Sequence, residues 1–215
     1  MKKYYVIDKT LERVYPQVEN VTKKSVSIAN IFEPYVNIVD PKKLELKFKL
    51  EKRAKLTDVL TTIPSGTFNY LISERAKNVL QTMRISRHVF FDATVMEKDI
   101  PHRYSWLHLM KDTELLASID YDKSEFRYSE YGLGEGVPIK IDSYAHYKSL
   151  EASSDEPTAF DVEMTKIVMK DDFDRSLDMF FLNPFDFNIY VSEELKKRME
   201  EAKITGVCFR DPVVF

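Results

Sequence analysis

The sequence predicts an α+β fold, mostly antiparallel sheet with a few helices, including two strand–helix–strand units. Three observations carry this reading. Apolar runs of strand length outnumber stretches with helical spacing. The chain holds only 5 glycines against 14 phenylalanines and 12 tyrosines, a balance that favours strands joined by short turns. Regular alternation of strand and helix, the mark of a parallel sheet, is absent. The 215 residues suffice for one substantial core, so one domain over 1–215 is expected, with 1–66 as a candidate N-terminal sub-lobe.

Residues 3–7, Lys3-Tyr4-Tyr5-Val6-Ile7, predict the first strand. Residues 10–43 carry prolines at 16, 34 and 41 and read as loops and short strands. In Leu44-Glu45-Leu46-Lys47-Phe48-Lys49-Leu50-Glu51 every even position is apolar. A strand follows, with Leu44, Leu46, Phe48 and Leu50 facing a core and Lys47 and Lys49 facing solvent. Lys42, Lys43, Lys52, Arg53 and Lys55 flank it. This basic cluster reads either as phosphate contacts or as lysines guarding an edge strand.

Residues 56–60 lead to a turn at Ile63-Pro64-Ser65-Gly66, and 68–72 form a strand. Ser73 is placed as a helix N-cap with Glu74 in the first turn. Ala76, Val79, Leu80 and Met83 then carry helical spacing to Met83, before a strand over 88–95. The pattern returns as strand 187–191, N-cap Ser192, Glu193, helix 194–203 and strand 207–209. A shift of 119 residues aligns the two units without a gap. Phe68, Asn69, Ser73, Glu74, Lys77, Ile85 and Phe90 meet Phe187, Asn188, Ser192, Glu193, Lys196, Ile204 and Phe209, seven identities in 23 positions. Either the unit is duplicated, or the same physics selects the same residues twice.

The centre reads as strand-rich. Tyr104, Trp106, His108 and Met110 alternate with Ser105, Leu107 and Leu109. Residues 115–121 and 125–131 read as a strand pair joined near Asp122-Lys123, and 137–147, 160–169 and 177–182 as further strands. The acidic stretch 151–157 separates two of them.

No catalytic motif is present: no phosphate loop, no G-x-G-x-x-G and no G-x-S-x-G. Gly132-Leu133-Gly134-Glu135-Gly136 reads as a tight turn. His88, His102, His108 and His146 lack metal-site spacing, and Asp171, Asp172 and Asp174 lack the glycine and downstream glutamate of a calcium loop. No metal and no cofactor are expected. Asp120 and Asp122 read as two carboxylates on one strand face, candidates for an acid–base pair or for a charged strand end. The single cysteine, Cys208, lies in an apolar run and reads as inert core or as a reactive thiol.

The opening MKKYYVIDKT breaks at Asp8, short of the roughly 7–15 apolar residues of a secretory leader. No stretch approaches the ~18 of a membrane span. A cytoplasmic location is the expectation. Net charge is −3, which disfavours a nucleic-acid binder. Residues 112–178 nevertheless hold 17 acidic and 7 basic side chains. Such a field attracts a basic protein, or it is ordinary solvated surface.

The segment Leu115-Leu116-Ala117-Ser118-Ile119-Asp120-Tyr121-Asp122-Lys123-Ser124-Glu125 resembles the central motif of a bacterial immunity-protein family first catalogued as a domain of unknown function and encoded beside polymorphic toxins. Ile189-Tyr190-Val191-Ser192-Glu193-Glu194-Leu195, with Ile204-Thr205-Gly206-Val207, is similar to that family's closing strand–helix–strand, and Lys3-Tyr4-Tyr5-Val6-Ile7 to its opening. Residues 10–60 and 151–157 show no obvious match to it. The resemblance implies a stoichiometric inhibitor of a cognate toxin, not an enzyme. The acidic centre is compatible with capping a basic nuclease toxin.

The sequence thus favours a toxin-binding protein whose candidate contacts are Glu130, Glu135, Asp155, Glu156, Asp171, Asp172 and Asp174 gathered on one face. Two alternatives stay open: an enzyme using Asp120, Asp122 and His108, and a ligand-binding module with an aromatic pocket at Tyr104, Trp106 and Tyr128. Oligomeric state is left open.

Overall fold

In residues 46–50 the alternation has the consequence that period two dictates. Leu46, Phe48 and Leu50 are buried, while Lys47 and Lys49 face solvent. The computed structural model describes residues 2–9, 17–20, 46–52, 54–63, 69–156 and 159–215. The expectations for Leu44, for most of 10–43, for the turn at Pro64 and for Lys42, Lys43, Arg53, Phe68 and Pro157 lie outside the described residues.

The strands are β1 (Lys3–Lys9), β2 (Gln17–Asn20), β3 (Leu46–Leu50), β4 (Val59–Ile63), β5 (Asn69–Ser73), β6 (His88–Glu97), β7 (Ile100–Leu109), β8 (Glu125–Glu130), β9 (Val137–Ile139), β10 (Phe160–Lys166), β11 (Met179–Leu182), β12 (Asp186–Ser192) and β13 (Val207–Val214). The helices are α1 (Glu74–Leu80), α2 (Thr113–Ala117), α3 (Tyr144–Ser153) and α4 (Glu193–Glu201). The architecture is α+β, with mostly antiparallel pairing, as the composition indicates.

Six strands close a barrel in the order β2-β3-β6-β7-β5-β4, with parallel contacts only at β2·β4 and β3·β6. Phe48, Leu60, Leu71, Phe91, Val95, Tyr104 and Trp106 fill it. Because β3 pairs on both sides, Lys47 and Lys49 lie on a barrel wall, not on the expected edge strand. A four-stranded antiparallel sheet follows, ordered β11-β12-β1-β13. One of its faces, with Ile7, Phe181, Ile189 and Val191, packs with α1, α4 and the barrel residues Tyr70, Ile72, Leu107 and Leu109. Its other face, with Tyr4, Phe180, Leu182 and Tyr190, packs against α2, α3 and a three-stranded sheet ordered β10-β8-β9. Burial on both faces explains why Met179-Phe180-Phe181-Leu182 is apolar without alternation.

Three sequence expectations are corrected. Residues 115–121 are not a strand: Asp112 accepts hydrogen bonds from the amides of Glu114 and Leu115 and starts α2. Strand β8 pairs with β9 and β10 instead. The run 137–147 is strand only to Ile139, because the hydroxyl of Ser143 caps α3 by accepting from the His146 amide at 3.0 Å. Helix α1 stops at Leu80, three residues short of Met83.

Both strand–helix–strand units form, and their geometry matches beyond the aligned positions. Val59 pairs with Ile72 as Met179 pairs with Val191. Ser73 lies opposite Tyr104 as Ser192 lies opposite Tyr4. Phe90 lies opposite Leu107 as Phe209 lies opposite Ile7. Thus β4-β5-β7-β6 and β11-β12-β1-β13 are one arrangement built twice, although the third strand follows its unit in one case and precedes it in the other. The polar contacts repeat too. Ser73 Oγ donates to Asp58 Oδ1 at 2.7 Å, and Ser192 Oγ to Asp178 Oδ1 at 2.6 Å. The Tyr104 hydroxyl donates to the carbonyl of Thr57 at 2.6 Å, and that of Tyr4 to the carbonyl of Leu177 at 3.1 Å. Lys77 and Lys196 each stand over a ring, Phe90 at 5.6 Å and Phe209 at 5.7 Å.

Candidate functional site

Strands β8 and β10 run antiparallel with Glu130 opposite Phe160 at one end and Glu125 opposite Lys166 at the other. A seven-residue strand spans about 20 Å, so the two ends are separate places on the surface. The seven candidate carboxylates divide between them.

At the first end, Glu130 closes β8, Glu135 lies in the β8–β9 connection, and Asp155 and Glu156 follow α3; all four are exposed. Backbone bonds join Tyr131, just after Glu130, to the chain behind α3. The Tyr131 amide donates to the carbonyl of Ala159 at 2.8 Å, the Ala159 amide to that of Glu156 at 2.9 Å. The Tyr131 hydroxyl is hydrogen-bonded to the Glu156 side chain, which raises its pKa above the ordinary tyrosine value.

At the other end, the Lys170 amide donates to the carbonyl of Ser118 at 2.8 Å, and exposed Asp171 and Asp172 follow. Asp174 is half-buried and engaged. It accepts from the Ser176 hydroxyl at 2.6 Å and pairs with Arg84 at 2.6 Å, and these groups, Ser176 first, hold its carboxyl below the usual range.

The tip between β8 and β9 adds what sequence reading missed. Tyr131, Leu133 and Val137 are 53 %, 74 % and 60 % exposed, three of the five large exposed apolar residues described. The signal was present in the sequence, since a turn rich in glycine offers Leu133 no core to enter. Gly132, Gly134 and Gly136 have φ of 67°, 82° and 62°, and Tyr131 itself stands at 56°. The strands are joined as expected, but through the longer connection 131–136, with Tyr128 and Val137 the innermost pair, rather than through a tight turn.

The other candidates fall apart in space. Asp120 and Asp122 sit in the turn after α2 rather than on a strand. Asp120 pairs with Lys123 at 2.7 Å and Asp122 with Lys140 at 3.0 Å. His108 belongs to β7, its ring 5.3 Å from that of Trp106, and burial pushes its pKa down to about 4. Tyr104 and Trp106 are barrel interior, whereas Tyr128 packs on Phe160 in the three-stranded sheet at 5.0 Å. Neither constellation assembles. Cys208 is half-buried on β13, where burial raises its pKa. A groove of about 360 Å³ beside β8 is lined by Glu125, Arg127, Pro138, Lys140 and Thr165 and carries both signs of charge. Among the described residues, no group of three or more histidine, cysteine or acidic side chains could hold a metal ion. No helix among them is long and apolar enough to cross a membrane.

A search of the curated proteins finds no match. The model of the immunity protein family Imm11 matches residues 15–214, which take in both repeated units, the β8–β9 tip and all seven candidate carboxylates. This chain belongs to the Imm11 immunity protein family.

Proposed function

We propose that the chain neutralises a cognate protein toxin by binding it, through a partly acidic surface, rather than by catalysis. Membership of an immunity protein family supports the toxin as partner. What supports the surface is that Glu130, Glu135, Asp155 and Glu156 are all exposed, with Glu156 tied to Tyr131 beside Glu130. Exposed carboxylates of one sign raise the encounter rate with a basic surface more than they raise affinity. A nucleic-acid-cleaving toxin has such a surface, because it must meet phosphates. Asp171, Asp172 and Asp174 form a secondary acidic patch in this reading, with Asp174 the least available. In this reading the chain acts in the cytoplasm and as a single domain, which is supported by the apolar packing of the barrel residues Tyr70, Ile72, Leu107 and Leu109 with Ile7, Phe181, Ile189 and Val191 of the four-stranded sheet.

The test sequences the flanks of this chain's gene for a toxin gene and uses the purified toxin domain that it encodes. Wild-type protein should form a stoichiometric complex and protect cells that express the toxin. Changing Glu130, Glu135, Asp155 and Glu156 together to Lys should leave the fold intact and slow association by about tenfold or more at low salt. Added salt should shrink the difference. Absence of a complex ends the reading. A complex whose association ignores both salt and the reversals ends its acidic-surface part.

A further inference from the structure

The apolar tip is held, not merely left out. The guanidinium of Arg127 donates to the carbonyl of Glu135 at 2.9 Å and reaches that of Gly136 at 3.5 Å. The Leu133 amide donates to the carbonyl of Glu130 at 3.1 Å, closing the turn beneath the exposed leucine. A Cβ on Gly132 would stand 2.8 Å from Asp161 Oδ2, and one on Gly136 3.0 Å from the carbonyl oxygen of Tyr128. The backbone is therefore packed against its own hairpin and against β10, with Tyr131 tethered through Glu156. Large apolar side chains in a fixed, solvent-facing position are disfavoured in water, and a group of them marks a surface that becomes covered.

From this geometry we infer that the β8–β9 tip is the anchor of the toxin interface. Leu133, at its apex, enters an apolar slot in a concave and basic site of the toxin, while Glu130, Glu135 and Glu156 form the rim. The inference rests on the toxin-binding reading above and names the contact within it. Two features specify this occupant. Residues 131–135 and Val137 are all exposed, so the tip stands out from its hairpin and its complement is a cleft. Its rim carries the exposed carboxylates of Glu130, Glu135 and Glu156, and Nη1 of Arg127 is turned to the backbone carbonyls of Glu135 and Gly136, so the complement is basic. An apolar anchor inside a polar rim is the arrangement in which few residues dominate affinity. Because the turn is built in advance, little conformational freedom is lost on docking. A protrusion that fills a cleft also blocks it, which links binding to neutralisation.

The experiment compares Leu133→Asp with Ile100→Asp, the latter at the exposed β6–β7 hairpin. Dissociation constants and rates are measured with the purified neighbouring toxin domain. Leu133→Asp should weaken binding at least about 30-fold, mostly through faster dissociation. Ile100→Asp should stay within about threefold of wild type. Independently of any variant, amides of residues 131–137 should exchange more slowly in the wild-type complex. If wild type binds, but Leu133→Asp binds equally well and exchange at 131–137 is unchanged, the anchor is elsewhere and only this inference falls. If wild type self-associates through the tip, and Leu133→Asp turns it monomeric without weakening toxin binding, the tip is a self-contact and the inference is overturned. If wild type does not bind the toxin domain, the proposed function fails and takes the anchor with it.

Discussion

Thr205 donates both its backbone amide, at 2.9 Å, and its hydroxyl, at 2.7 Å, to Oδ2 of Asp58, a residue 147 positions earlier in the chain. The other carboxylate oxygen accepts from Ser73 Oγ, which caps α1. The carboxylate that steadies the cap of the first unit is thus held by the loop behind the helix of the second. The converse also holds. Asp178, which accepts from Ser192, the cap of α4, takes the amide of Arg84 at 3.0 Å from the loop behind α1. Backbone bonds run alongside: the Val59 amide donates to Thr205 at 3.0 Å and the Asp178 amide to Arg84 at 2.6 Å. Each unit completes the helix start of the other.

Replacing either capping serine by alanine should therefore cost about 1 kcal/mol or slightly more, since the helix loses a cap and a carboxylate loses a donor. Asp58→Ala should cost about 3 kcal/mol, because it strands donors from Ser73, Arg75 and Thr205 at once. Urea unfolding of the three variants checks the order; equal losses would show that Asp58 is not the hub.

Gly206 is the tightest point of the same junction. Its φ is 92°, and a Cβ there would lie 2.2 Å from the carbonyl oxygen of Val59 and 2.6 Å from Thr57 Oγ1. Gly206→Ala should lose about 3 kcal/mol or more. Gly134→Ala, at φ 82° but with nothing within 4 Å, should lose only about 1 kcal/mol. Thermal denaturation of the pair separates collision from backbone strain.

Burial alone would raise the pKa of Asp58, but hydrogen bonds from Arg75, Thr205 and Ser73 outweigh it and hold the carboxyl at about 2. An unfolded aspartate titrates near 3.9. The folded state thus stays ionised where the unfolded state takes a proton. This stabilisation, on the order of 2–3 kcal/mol, is present above pH ~4 and lost as pH falls towards 2. Asp58→Asn should flatten the stability curve in that window; an unchanged curve would sink the assignment.

His108 acts in a higher window. Burial lowers its pKa to about 4, against ~6.5 in the unfolded chain. Between those values only the unfolded state binds the proton, so stability falls as pH is lowered from about 6.5 to 4. His108→Gln should remove this slope, measured as urea midpoints at successive pH values, even if it lowers stability overall.

What could be read in the sequence was what nearest neighbours decide. The period-two run at 46–50 and the serines at 73 and 192 act through residues within four positions, and all appear as expected. The short helix α2 was hidden because Leu115-Leu116 fits either period, and only Asp112 marked its start. Barrel closure rests on parallel pairing of Gln17 with Thr61 and of Leu46 with Ala93, for which a linear sequence carries no local sign. The same holds for the surface. The carboxylates were visible as charge, but their division into two groups depends on the register of β8 with β10. The glycines around Leu133 already signalled a leucine without a core to enter, but how far it stands exposed is a property of the folded surface.

The exchange between Asp58 and Thr205 has a bearing on synthesis. A ribosome that has delivered everything through β7 has released every strand of the barrel, yet Asp58 still faces water where Thr205 belongs. The strands of the barrel are then all present, but the Asp58 junction that ties them to the second unit stays open while about a hundred further residues are translated. Nascent chains arrested before residue 205 should leave their first half more open to protease than chains of the full sequence that an appended linker has carried clear of the exit tunnel.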